Sequence, residues 1–123
     1  MLFEIKYKQP LTRKKVMALY GPGAIHLLDH AVVFEGWRPD YAIPWVSQTF
    51  YFLVCDRSMW TVPYDWIRRH RQPTRPRGVH ELYIAMGSAG YSLFFTLKHN
   101  SQDFGAELSR RISQLSGIER PAL

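Results

Sequence analysis

The chain has 123 residues, a length that suits one domain and leaves little room for two. Hydrophobic residues make up 46% and aromatic residues 15%; this excludes a disordered chain and, with the shortness of the apolar runs, favours β-structure. The formal net charge of +6 points toward acidic partners rather than basic ones.

Cys55 is the sole cysteine, so no disulfide forms within the chain. A small secreted domain is usually stapled, and a cytoplasmic setting is therefore expected, with at most a peripheral place at the inner membrane surface. Glu4, Lys6 and Lys8 interrupt what a signal peptide would need as a clean apolar stretch. The most apolar segment, Ala42–Cys55, carries Pro44, Ser47, Gln48 and Thr49 and falls short of the roughly 20 residues that span a bilayer.

In chain order, Leu2–Tyr7 alternates weakly and reads as a strand or an ordered arm, with residues 1–13 taken together as an N-terminal segment. Lys14–Tyr20 reads as a strand with Val16, Ala18 and Tyr20 on one side, and Gly21-Pro22-Gly23 as a break. Two short apolar runs, Ala24–Leu28 and Ala31–Gly36, joined by Asp29-His30, predict a β-hairpin. Trp37–Pro44 reads as a loop, Gln48–Val54 as an aromatic-rich strand and Asp56-Arg57-Ser58 as a turn. Met59–Ile67 begins as a strand, breaks at Pro63 and continues toward His70. Gln72–Gly78 is a loop by composition, Glu81–Met86 a strand and Gly87–Gly90 a turn. Tyr91–Leu97 alternates strictly.

The period then changes. Phe104, Leu108, Ile112 and Leu115 repeat at helical spacing behind Asn100 or Ser101 as the cap, and Gly117 and Pro121 mark the stop. The helix is expected over residues 100–116, with 117–123 as a tail. Gly105 weakens it by up to about 1 kcal/mol relative to alanine, so its stability must come from packing the apolar stripe onto the strands.

The order of these motifs resembles the pleckstrin-homology superfamily, in its GRAM and bacterial PH-like branches. The resemblance rests on Gly23–Phe34 as a glycine, strand, tight turn and second strand ending in Phe. It continues with Val62-Pro63-Tyr64-Asp65-Trp66-Ile67, then the strand pair within Glu81–Leu97 and the helix within Ser101–Leu115. It implies a mainly β fold, a PH-like antiparallel β-barrel of about six or seven strands spanning residues 14–99 and capped by the C-terminal helix. It further implies a binding module rather than an enzyme. The basic inositide-binding pattern of some PH domains has no clear counterpart: Lys14 and Lys15 precede the expected first strand.

Chemistry is sparse. His26 and His30 are four apart, but they sit in a hairpin with no further ligand nearby in sequence, whereas a closed zinc site generally takes four protein ligands. Asp29, Asp56, Asp65 and Glu81 are scattered, and no nucleophile-elbow or phosphate-loop pattern occurs. No cofactor or metal is expected. The positive signal is a run of arginines, Arg68, Arg69, Arg71, Arg75 and Arg77, a candidate anion-binding rim because the planar guanidinium bonds two phosphate or carboxylate oxygens at once. If the strand reaches His70, Arg69 and Arg71 point to one face and Arg68 to the other. The leading reading is an adaptor that docks an anionic membrane surface or a partner protein through this rim, against the plainer reading of a solvated loop. One alternative is a nucleic-acid-binding module, since Trp60, Tyr64 and Trp66 interleave with the basic stretch. Another is a structural subunit whose aromatics Trp37, Trp45 and Phe50 build a homo-oligomer.

Overall fold

A computed structural model describes residues 1–8, 19–39, 50–75, 77–99 and 101–119. The strands are β1 (Leu2–Tyr7), β2 (Tyr20–Leu27), β3 (Ala31–Pro39), β4 (Cys55–Pro63), β5 (Ile67–Arg71), β6 (Val79–Met86) and β7 (Ala89–Leu97). A short helical turn, α1 (Tyr51–Val54), precedes β4, and the last described element is the long helix α2 (Ser101–Glu119). All seven described strands belong to one sheet in the order β4-β3-β2-β1-β7-β6-β5, and every neighbouring pair is antiparallel.

The expected hairpin is present: β2 and β3 pair Ile25 with Phe34 and Leu27 with Val32, and the Leu28 amide donates to the Ala31 carbonyl across the turn at 2.9 Å. Of the two alternatives for Leu2–Tyr7, the strand is the one present. Period-two alternation buries Phe3, Ile5 and Tyr7, and β1 forms the middle of the sheet, bonded to β2 on one side and β7 on the other.

Several local expectations give way to tertiary pairing. Gly21-Pro22-Gly23 lies inside β2, with Pro22 opposite Lys6 and Gly23 opposite Ile5. The β2–β3 register shifts between Tyr20 and Ala24, so the missing Pro22 amide interrupts no regular ladder. Gly23 is required by close approach, because a Cβ there would sit 2.1 Å from the Glu35 carbonyl oxygen and 2.7 Å from the Tyr7 ring. Trp37–Pro39 extends β3 instead of opening a loop, and Asp56-Arg57-Ser58 is strand, paired with Arg38, Trp37 and Gly36. Tyr51–Val54 is helical rather than extended; Tyr51 packs on Trp37 with ring centroids 5.4 Å apart. The β6–β7 turn is confined to Gly87-Ser88, with Gly87 at φ 65°. The helix runs on through Gly117 to Glu119. Residues 14–18 and 40–49, which carry the rest of the first expected strand, most of the expected loop and Trp45, lie outside the described residues, as does Asn100.

The barrel expectation is met only in part. Seven strands lying flat would separate β4 from β5 by about 29 Å, given about 4.8 Å per neighbour. Yet only Tyr64–Trp66, a single 3₁₀ turn, joins them, and four Cα steps reach at most about 15 Å. The sheet must therefore roll until its edges approach. It does not close, because the alternation of directions leaves β4 and β5 running the same way, and a parallel pair needs a crossover of about a dozen residues or more. Among the described strands β5 thus pairs only with β6.

Within the roll, core-facing residues from both halves form one cluster that includes Ile5, Ile25, Phe34, Val62, Ile84, Leu93 and Phe95. Helix α2 packs against it with Phe104 and Leu108, both buried, and Ile112 beside them. Phe104 alone should contribute roughly 2–3 kcal/mol by burial. The Tyr64 hydroxyl donates to the Leu28 carbonyl at 2.6 Å, tying the 3₁₀ turn to the β2–β3 hairpin. Arg111 bonds Glu107 at 2.6 Å and reaches Asp29 of the same hairpin at 3.6 Å.

Candidate functional site: the groove between the edge strand and the helix

The arginine run begins at an irregularity in β5. Ile67 pairs with Ile84, but Arg69 pairs with Tyr83, so Arg68 is an extra residue in the ladder. Such a bulge changes which way the following side chains point. Here it brings both Ile67 and His70 inward, and sends Arg69 and Arg71 to the outer face.

The five arginines are therefore divided. All are exposed. The Arg69 guanidinium lies over the Tyr83 ring, 5.8 Å from its centroid. Arg71, itself exposed, approaches the half-buried Glu81 at 3.7 Å, a long contact. Arg75 and Arg77 sit on the β5–β6 loop, where the Gly78 amide donates to the Arg75 carbonyl at 3.0 Å. Arg68 lines a groove, whose border Arg69 shares.

That groove runs between β5 and α2 in two adjoining parts. One, of about 280 Å³, is bounded by Ile67, Arg68, Arg69 and His70 on the strand and by Leu108, Ser109, Ile112 and Ser113 on the helix. The other, of about 420 Å³, is bounded by His70 and Gln72 opposite Gln102, Gly105, Ala106 and Ser109. His70 and Ser109 border both. A Cβ on Gly105 would lie 2.4 Å from the Gln72 Oε1 and 3.3 Å from the His70 Cε1, so the glycine leaves the end of the Gln72 side chain room against the helix.

Behind the groove, His70 Nε2 lies 2.9 Å from His80 Nδ1. The two rings stack with Phe104 and Phe95 between sheet and helix. His80 is fully buried. Burial pushes the His80 imidazole down to about 4, with the neighbouring His70 adding to the effect, and burial lowers His70 as well. At neutral pH both rings are uncharged, one donating and the other accepting.

Sequence reasoning placed its site on the arginines and missed His70 and the α2 wall. A signal was present: Gln102, Gly105, Ala106, Ser109 and Ser113 recur at helical spacing as a small and polar stripe beside the Phe104–Leu108–Ile112 stripe. A bulge, however, leaves no mark in composition.

A second polar cluster lies on the outer face of β2–β4. Glu35 accepts from Arg57, and its other oxygen is 3.1 Å from His26 Nε2. These two partners hold the Glu35 carboxyl below the usual carboxylate range. The Arg57 guanidinium also covers the Trp37 ring at 5.3 Å. His30 is exposed at the hairpin turn, and among the described residues no three metal-ligating side chains gather. Of the aromatics considered for self-association, Trp37 is half-buried, whereas Phe50, Phe52 and Leu53 around α1 are exposed. No described helix is long and apolar enough to cross a membrane. Compared with known proteins, the chain matches no family model, no curated protein and no solved structure.

Proposed function

We propose that the chain is a non-catalytic binding module that holds an extended, acidic segment of a partner protein along β5, in the groove beside α2. The observation that carries this reading is the groove itself. One wall is an edge strand whose outer backbone groups have no ladder partner among the described residues, and such an edge accepts an added strand. Arg68 and Arg69 lie along it, and Arg71, Arg75 and Arg77 follow at the end where β5 enters its loop. Main-chain bonds supply affinity in this mode, and the arginines select acidic side chains. A bilayer surface offers no strand for an open edge, which is why a protein partner is preferred to a lipid headgroup.

The wider PH-like reading belongs to the same proposal. Strands β1–β4 and β5–β7 form two antiparallel meanders that meet at β1 and β7, with one helix after the last strand. Seven antiparallel strands followed by one helix agree with the coarser part of that expectation, and the PH-like reading in turn favours a binding role.

The test is fluorescence anisotropy with a labelled Glu-Val repeat peptide and its Gln-Val counterpart. Phosphatidylserine vesicles and a single-stranded oligonucleotide are run in parallel. The acidic peptide should bind, the neutral one should bind more weakly, and Ser109→Trp should block binding by filling both parts of the groove. Vesicle binding without peptide binding would transfer the function to a membrane surface. Binding of the oligonucleotide alone, falling steeply with salt, would make the arginines a nucleic-acid site.

A further inference from the structure

We infer that His70, backed by His80, is the residue through which the groove recognises a ligand carboxylate, and that it takes up a proton as the ligand docks. This rests on the groove being the binding site proposed above.

His70 is the one side chain bordering both parts of the groove that also titrates; Ser109, the other shared residue, does not. Its Nε2 is committed to His80 Nδ1, which leaves Nδ1 as the nitrogen that meets a ligand. In the neutral pair a single hydrogen lies between the rings, and either ring can supply it. A proton added to His70 settles the polarity: Nε2–H donates to His80, and Nδ1–H becomes a charged donor at the groove. A carboxylate there accepts a charge-assisted bond, roughly twice as strong as a neutral one.

The surroundings make the ligand necessary for this step. From its own strand His70 is flanked by Arg68 and Arg69, both cationic. From β6 it meets His80, and from α2 it meets Phe104 and the groove residues Gln102, Gly105, Ala106 and Ser109. The acids of the adjacent helix turns, Asp103 and Glu107, are outside the groove lining, and Glu107 is engaged by Arg110 and Arg111. Glu81 faces the other side of the sheet, near Arg71. The described lining therefore offers the imidazolium no carboxylate, and burial lowers the pKa of His70. An acidic ligand supplies the missing counter-charge, so protonation and binding favour each other.

The experiment is anisotropy titration of the Glu-Val peptide against wild type and His70→Gln from about pH 7.5 to about pH 5.5, where glutamate stays ionised. Circular dichroism at each pH checks that both remain folded. Wild-type affinity should rise as pH falls, by up to about tenfold per pH unit for one linked proton, and His70→Gln should bind with little slope. Because that variant disturbs a buried pair, the His70 ring resonances of wild type are titrated with and without peptide; the bound form should titrate at higher pH. Binding with a flat pH profile and an unmoved His70 titration would overturn the role of His70 while leaving the groove intact. A slope that survives in His70→Gln would do the same. Failure of the peptide to bind at any pH would overturn both readings together.

Discussion

The imidazole planes of His70 and His80 lie 4° from parallel, joined by a 2.9 Å Nε2–Nδ1 contact, and they come from neighbouring strands whose phase is set by the bulge at Arg68. Phe104 from α2 stacks on both rings. Helix docking is thus coupled to the charge state of a histidine pair.

Stability should consequently fall with acid in a defined window. An unfolded histidine titrates near 6.5, whereas His80 titrates at about 4 in the fold and His70 is also lowered. Between these values the unfolded chain binds more protons than the folded one, so the stabilisation is complete above about pH 6.5 and is lost as pH falls toward 4. The loss should be on the order of 2–3 kcal/mol for the buried ring. Glu35, lowered by His26 and Arg57, acts lower, losing its contribution only below the ordinary glutamate value of 4.5. Urea unfolding at several pH values checks this, and a midpoint that is level from neutral pH down to about pH 5 would contradict it. The double variant His70→Leu/His80→Phe should show no slope in the upper part of the window.

Two glycines should respond in opposite ways to the same substitution. At Gly23 an added Cβ meets a backbone carbonyl oxygen and the ring of the buried Tyr7, so Gly23→Ala should destabilise by about 2–3 kcal/mol. At Gly105 the nearest atom is the end of the flexible Gln72 side chain. The gain in helix propensity offsets its displacement, and Gly105→Ala should stay within about 1 kcal/mol of wild type. Thermal and urea unfolding of the two variants give the comparison. Equal losses would remove the distinction between backbone and side-chain contact.

The connection that brings the sheet edges together offers a third measurement. Tyr64→Phe removes the donor to the Leu28 carbonyl and should cost about 1 kcal/mol, the usual net worth of a part-buried hydrogen bond. Asp29→Asn removes the weak 3.6 Å approach to Arg111 on the same hairpin and should cost under about 0.5 kcal/mol, since Asp29 is 91% exposed. If the exposed ion pair proved the more costly to lose, the account of how the turn is anchored would be wrong.

Elements whose periodicity was internally consistent were legible in the sequence. The Ile25–Phe34 hairpin, the alternation of Tyr91–Leu97 and the Phe104–Leu108–Ile112 stripe follow from local spacing, which sets which side chains share a face before any partner is known. Gly21–Gly23 and Asp56–Ser58 were misread for a common reason. Their turn-forming composition is a local preference, and pairing with β1 and β3 outweighs it.

Composition and spacing by themselves determined a mainly β chain with one terminal amphipathic helix and a concentration of arginine before its last two strands. Only the tertiary structure decided that the sheet rolls without closing, because a three-residue link joins two edges that run in the same direction. It alone also decided that His70 turns inward while Arg69 turns outward. A single bulged residue reverses strand phase, and its position depends on where β5 pairs with β6 rather than on what either strand contains.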